Sequence, residues 1–179
     1  MKKKVLDKGF VEVIDHLGTD LTVVNSARVS FGKRHTKYTK GDKHLVKYLA
    51  EHNHHSPFRH MMVQFHIKAP EFVMRQWYKH VVGIETTSSS STKDHAWNEI
   101  SGRYVPVEEY YIPKVFRAQS EDNKQASEGE VEDQERSRET WKNALWYAKI
   151  HYESLLKNGV AKEQARAILP LSQYTEVYW

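Results

Sequence analysis

Pro70-Glu71-Phe72-Val73-Met74-Arg75-Gln76-Trp77-Tyr78-Lys79-His80, followed after a polar stretch by Trp97-Asn98-Glu99-Ile100-Ser101-Gly102-Arg103-Tyr104, is the segment around which the rest of the chain is read. Pro70 suits the first turn of a helix, and no breaker interrupts the run as far as His80. Gln76, Lys79 and His80 are spaced i, i+3, i+4, so a continuous helix puts them on one side. Lys79 brings fixed charge, and His80 exchanges a proton near neutral pH. Between the two blocks lies a polar loop containing Ser88 to Ser91. Beyond it Glu99, Ser101 and Arg103 occupy alternate positions, which share a face in an extended segment. A carboxylate, a hydroxyl, a guanidinium and a glycine together suit a pocket for an anionic, hydrogen-bonding ligand. The other reading is a solvated helix face followed by a turn in which Asn98 or Ser101 bonds its own backbone. Both readings stay open at this point.

The chain has 179 residues, 28% of them charged and 39% hydrophobic, which is the composition of one globular domain with a sizeable core. The net charge of +4 permits anionic small molecules or nucleic acid and specifies neither. Without cysteine there is no disulfide, thiolate nucleophile or zinc–sulfur site. Met1-Lys2-Lys3-Lys4 is basic, but no apolar stretch is long enough for a signal peptide or membrane span. The protein is therefore expected to be soluble and cytoplasmic.

Around the central segment, Lys4 to Ile14 reads as strands about a turn at Lys8-Gly9. Gly18-Thr19-Asp20 offers a helix start, with Leu21, Val24 and Val29 as candidate core residues. The basic run Lys33 to Lys40 reads as an exposed loop; nucleic-acid contact there has no domain signature behind it. Asp42 is expected to cap a helix with a stripe of Leu45, Val46 and Leu49. Four histidines between His52 and His60 invite a metal, but this is a Pro-containing loop, and a turn that aims one or two imidazoles at a ligand is preferred; no metal is assigned. Met61 to Ala69 alternates as a strand. Residues 105–116 read as extended and packed on the core, and residues 118–130 as a mobile polar loop. Asp133 to Asn158 is the clearest helix, with a stripe of Trp141, Ala144, Leu145, Ala148, Tyr152, Leu155 and Leu156 and an Asn158-Gly159 cap. A shorter helix, Lys162 to Leu169, carries Arg166 and stops at Pro170. The chain then ends on Tyr174, Tyr178 and Trp179.

Taken together, several segments resemble the flavin-dependent thymidylate synthase family. They are Leu6-Asp7-Lys8-Gly9-Phe10-Val11, Ala27-Arg28-Val29-Ser30-Phe31, His52 to His60, Phe65 to Pro70 leading into Arg75-Gln76-Trp77-Tyr78-Lys79-His80, Asn98-Glu99-Ile100-Ser101-Gly102-Arg103-Tyr104, and Ala165-Arg166-Ala167-Ile168-Leu169-Pro170. They fall in family order and span nearly the whole chain. The resemblance implies a single α/β (α+β) domain over residues 1–179, with a central, mostly antiparallel sheet flanked by helices, assembled as a homotetramer. It implies methylation of deoxyuridylate (dUMP) to dTMP, with methylenetetrahydrofolate supplying the carbon and FADH2, regenerated by NADPH, supplying the hydride. Gln76, Lys79, Glu99, Ser101, Gly102, Arg103 and Arg166 would surround dUMP, with Arg166, Glu99 and Ser101 as the catalytic set. Ser101 is assigned to binding because no base is evident for it. Ser30, His54, Ser56, Lys79, His80 and Asn98 would contact FAD.

The sequence departs from the family pattern in four places. Where the family carries Arg-His-Arg-x-x-Ser, this chain has Lys79-His80-Val81-Val82-Gly83-Ile84, so two arginines become Lys79 and Val81. Residues 85–97 form an insertion that could act as a lid or a replacement flavin contact. Arg59 stands where the family usually has an acid and is expected to restore charge lost at Val81. The family's further C-terminal helical segment is expected to be absent. An alternative reading is thus a nucleotide-binding fragment of the same family that is catalytically impaired. A basic nucleic-acid module built on Lys33 to Lys40 ranks last.

Overall fold

A computed structural model describes residues 1–80 and 96–179. The expectations placed on Val81, on Ser88 to Ser91 and on the insertion up to residue 95 lie outside the described residues. The elements are β1 (Lys2–Val5), β2 (Gly9–Leu17), α1 (Asp20–Arg28), α2 (Lys40–Glu51), β3 (Met62–Pro70), α3 (Glu71–Trp77), β4 (Asn98–Glu99), β5 (Arg117–Gln119), β6 (Ser127–Glu130), α4 (Gln134–Lys157), α5 (Lys162–Ala165) and β7 (Tyr174–Tyr178). Short 3-10 turns cover Val29–Phe31, Ser56–His60 and Arg166–Ile168. The described residues form two compact units, one of Met1 with Glu12–Phe65 and one of Lys2–Val11 with His66–Trp179.

In the first unit α1 buries Val23 and Val24, and α2 buries Leu49. Val29, expected in the core, is 71% exposed because α1 ends at Arg28 and the chain turns there. The cap of α2 is also corrected. Thr39 is the N-cap, and Asp42, at the third helical position, completes a capping box by accepting from the Thr39 backbone N–H at 3.0 Å. Asp42 is fully buried, and its carboxylate also takes bonds from Arg28 at 3.0 Å and from the Thr39 hydroxyl at 2.8 Å, with His35 Nδ1 3.0 Å away. These bonds outweigh the effect of burial and hold the Asp42 carboxyl below the usual carboxylate range. The basic loop is therefore pinned from inside, with Lys33, Arg34, Lys37 and Lys40 exposed.

The expected architecture, α+β with a mostly antiparallel sheet flanked by helices, is what the chain adopts. Strand order is β1-β2-β3-β7-β4. In the second unit β3 and β7 pair antiparallel from His66 with Tyr178 to Pro70 with Tyr174, and β4 pairs antiparallel with β7 on its other side. The aromatic end of the chain is thus an inner strand. Tyr174, Thr175 and Val177 are buried because β7 has a partner along both edges. Gly9 permits close strand approach: a Cβ there would lie 2.7 Å from the Lys68 carbonyl oxygen and 3.0 Å from that of Val5.

Helix α4 has the limits and caps read from sequence, with Asp133 accepting from the Arg136 N–H at 2.8 Å and Gly159 at φ +81°. It packs Tyr152 against Ala165, Leu169 and Tyr110, with Leu145, Leu155 and Leu156 alongside. Ala144, placed in the stripe, is exposed.

Two further expectations fail. Residues 118–130 are a hairpin of β5 and β6 rather than a mobile loop. Polar side chains organise it: the Gln119 amide donates to the carbonyls of Asn123, Lys124 and Ala126, so no apolar periodicity announces it. The second is α3, which stops at Trp77. His80 turns back, its N–H bonding the Trp77 carbonyl at 2.8 Å and its Nδ1 lying 2.8 Å from that of Gln76. This side-chain cap ends the helix, so Lys79 and His80 do not extend the helical face of Gln76.

Candidate active site

Within the second unit, β4 with the turn after it, β7, the end of β3 and the turn that follows α5 enclose a cavity of about 1040 Å³. Arg166 reaches it because its neighbour Ala165 is locked in the Tyr152–Leu169 cluster, which leaves the guanidinium outside the core. Gly102 faces Arg166: a Cβ at that position would lie 3.1 Å from Arg166 Cδ and 3.6 Å from Nη1. The guanidinium of Arg166 makes no hydrogen bond or ion pair among the described residues.

The Glu99–Arg103 block takes the turn that was one of its two readings, and its residues line the cavity. The extended segment ends at Glu99, so alternation does not carry Ser101 and Arg103 onto its face. Ser101 instead closes a turn, its Oγ accepting from Arg103 N–H at 3.3 Å and from Arg103 Nε at 3.2 Å, its carbonyl from Tyr104 N–H at 2.9 Å. The Ser101 hydroxyl thus orients a guanidinium, and the turn nevertheless presents Glu99, Ser101, Gly102 and Arg103 to the cavity. Lys162 Nζ donates to the Tyr104 carbonyl at 3.1 Å and ties this turn to α5.

The opposite wall holds residues that sequence reasoning did not assign. Lys68 Nζ pairs with Glu109 and lies 3.3 Å from Glu176, whose other oxygen is 3.0 Å from His66 Nε2. Burial pulls the Lys68 ammonium down, but the bonds and charges of the two glutamates outweigh it and leave it raised. Tyr174 is raised by burial and by donating its hydroxyl proton to Asp7. Glu71, in the first turn of α3, is raised by burial and by the nearby Glu99 charge, against the pull of Gln173, Arg75 and Arg166. The alternation of β3 gave Lys68 no partner; nothing local showed that β7 would bring Glu176 to meet it.

Residues 12–179 match the family of the thymidylate synthase complementing protein. The chain belongs to that family. The flavin-dependent thymidylate synthase of Thermus thermophilus is 45% identical over 176 residues, which are 98% of this chain and 60% of that protein. The flavin-dependent thymidylate synthase of Thermosipho melanesiensis is 40% identical over 182 residues, covering 100% of this chain and 74% of that one. The chain thus spans about three-fifths of the length of its Thermus relative. Among solved structures, the UMP/dUMP methylase PolB from Streptomyces cacaoi bound with 5-Br dUMP superposes with a TM-score of 0.77 at 29% identity, over 97% of this chain and 73% of that one.

The residues carried over from the thymidylate synthase complementing proteins divide by place. Glu99, Ser101, Gly102, Arg103 and Arg166 converge on the cavity, whereas Gln76 and Lys79 are exposed and are not among its lining. Asn98, beside Glu99 in β4, and His80 are exposed in the same unit. Ser30, His54 and Ser56 belong to the first unit, all exposed, Ser30 and Ser56 on the two 3-10 turns and His54 with its N–H on the Leu49 carbonyl at 2.8 Å. Among the described residues no group of three His, Cys, Asp or Glu is placed to hold a metal, and no helix is long and apolar enough to cross a membrane.

Proposed function

We propose that this cavity is the dUMP site of an FAD-dependent methyltransferase that makes dTMP, with methylenetetrahydrofolate as carbon donor and NADPH as the source of electrons. The observation that carries the reading is the convergence of Glu99, Ser101, Gly102, Arg103 and Arg166 on one cavity, with Gly102 lying against Arg166. A mononucleotide offers a phosphate, sugar hydroxyls and a uracil ring. Arg103, its Nε held by Ser101, keeps its terminal nitrogens for a bidentate grip on phosphate. Arg166 provides a fixed cation with no hydrogen-bond or ion-pair partner among the described residues, the group that stabilises negative charge developing on the uracil as it becomes a nucleophile. The Gly102 backbone allows close approach of the ligand.

The donor set suits FAD as well. Lys79, His80 and Asn98 of the second unit are exposed ammonium, imidazole and amide groups, the partners that dinucleotide phosphates accept from. These residues would hold it, and FAD when bound would supply the hydride. We place the protein in the cytoplasm as a homotetramer; sizing chromatography tests the assembly, and a clean monomer counts against it.

A second reading is a nucleotide-binding protein that does not turn over, favoured by Lys79 at a position where the family carries arginine. The visible spectrum of the purified protein, with FAD and then dUMP added, separates the two. A flavin band that shifts with dUMP supports the enzyme. dUMP bound with no flavin retained supports the second reading, and failure to bind either overturns both.

A further inference from the structure

Glu99 is the one acid of the carried-over set, and its carboxylate is gripped on both oxygens. The Thr175 hydroxyl donates to Oε1 at 2.6 Å, and the Trp97 indole N–H donates to Oε2 at 3.1 Å. Thr175 sits on β7 and is 5% exposed. Its backbone is fixed in the sheet opposite Ala69, and Glu99 is fixed on the other edge of β7 opposite Val177. The Ile100 N–H bonds the Glu176 carbonyl at 2.9 Å and continues that pairing past the end of β4. The Thr175 hydroxyl therefore stands on an inner strand of the sheet and reaches across to a carboxylate on the edge strand.

We propose that Thr175, with Trp97, is a positioning residue that aims the Glu99 carboxylate into the cavity for a hydroxyl or ring N–H donor of the bound nucleotide. The proposal rests on the reading of the cavity as the dUMP site. Each carboxylate oxygen has two acceptor positions. One donor on each oxygen leaves one acceptor position per oxygen and fixes the plane of the group. A glutamate on a two-residue edge strand otherwise has three side-chain torsions to order when ligand binds, at an entropic cost that subtracts from affinity. Thr175 and Trp97 incur that ordering at folding instead. Thr175 also lines the cavity, so loss of its hydroxyl is felt at the site and not only in the sheet.

The test is calorimetric titration of dUMP into the full chain and into Thr175→Val, Thr175→Ser and Trp97→Phe, with thermal melts of each. Valine keeps the shape and removes the donor, while serine keeps the donor. Thr175→Val is expected to bind dUMP roughly tenfold more weakly or worse, the scale of a lost hydrogen bond to a charged group. Thr175→Ser recovers most of that loss, a rescue that a packing role for the threonine methyl does not predict. Trp97→Phe weakens binding in the same direction, and it carries the test alone if the valine variant does not fold, unchanged affinity then overturning the proposal. Wild-type affinity in Thr175→Val, or a serine variant as weak as the valine one, overturns the positioning role while leaving the dUMP site standing. Wild-type protein that binds no dUMP overturns the reading of the cavity and this proposal with it.

Discussion

Gly102 and Arg166, far apart in the numbering, meet across the cavity so closely that a single methyl at 102 would stand 3.1 Å from Arg166 Cδ. That contact couples the most distinctive motif of the chain to a cation with no hydrogen-bond or ion-pair partner among the described residues. Overpacking by a methyl costs about 1–3 kcal/mol where neighbours cannot yield. An arginine stem can swing aside, so Gly102→Ala should fold normally and displace the guanidinium. We expect an unchanged melting temperature with dUMP affinity down by about tenfold in calorimetry, the equivalent of ~1.4 kcal/mol.

The two cavity arginines have different roles in the proposed site and should fail separately. Arg103→Ala and Arg166→Ala are each expected to weaken dUMP binding or turnover by roughly 1.5–3 kcal/mol, the range for charged hydrogen bonds. Ser101→Ala should do less harm, because on the proposed reading Ser101 Oγ orients Arg103 rather than attacking the substrate. Unchanged binding in both arginine variants would remove the pocket assignment.

Asp42 makes stability acid-sensitive. Its folded carboxyl lies below the ordinary value of 3.8, so the stability it contributes is present above that value and is lost as pH falls through the folded one. Asp42→Asn should melt lower than wild type at neutral pH and lose less as pH falls from about 5 to about 3, on the scale set by a single carboxylate. Parallel melting curves for the two proteins across that range would exclude Asp42 as the source.

At alkaline pH the second unit should weaken for the opposite reason. Lys68 and Tyr174 both titrate above their ordinary values, and burial with the Tyr152 and Glu153 neighbours pushes Tyr110 up to about 12. Groups that hold protons more tightly when folded contribute fully below their unfolded values, near 10.0 for tyrosine and 10.5 for lysine, and that contribution is lost as pH rises through the folded ones. Denaturant midpoints measured upward from about pH 9 should fall, and Tyr174→Phe should flatten that fall.

Gly9→Ala should destabilise the sheet directly. The new methyl would face two backbone oxygens, of Lys68 and Val5, which cannot rotate away. A loss of about 1–3 kcal/mol is expected in urea unfolding, with binding at the cavity retained in the folded fraction.

What the sequence by itself determined is whatever short-range chemistry controls. The limits of α4 follow from its apolar stripe, the Asp133 cap and Gly159, each a matter of neighbours along one helix. The strands around Lys8-Gly9, the start of α1 at Thr19 and Asp20 and the strand β3 were legible for the same reason. The family motifs named Glu99, Ser101, Gly102, Arg103 and Arg166, and these five line one cavity. Tertiary structure decided the rest. Whether α3 runs past Trp77 depended on one histidine folding back, its backbone N–H on the Trp77 carbonyl and its imidazole on that of Gln76, a competition that helical periodicity does not register. Residues 118–130 became a hairpin through a side-chain amide reaching three backbone carbonyls. Tyr174 to Tyr178 became an inner strand only because β3 and β4, distant in sequence, offered it two edges. That strand then brought Thr175 to Glu99 and Glu176 to Lys68, because hydrogen-bond ladders join residues by register rather than by sequence separation.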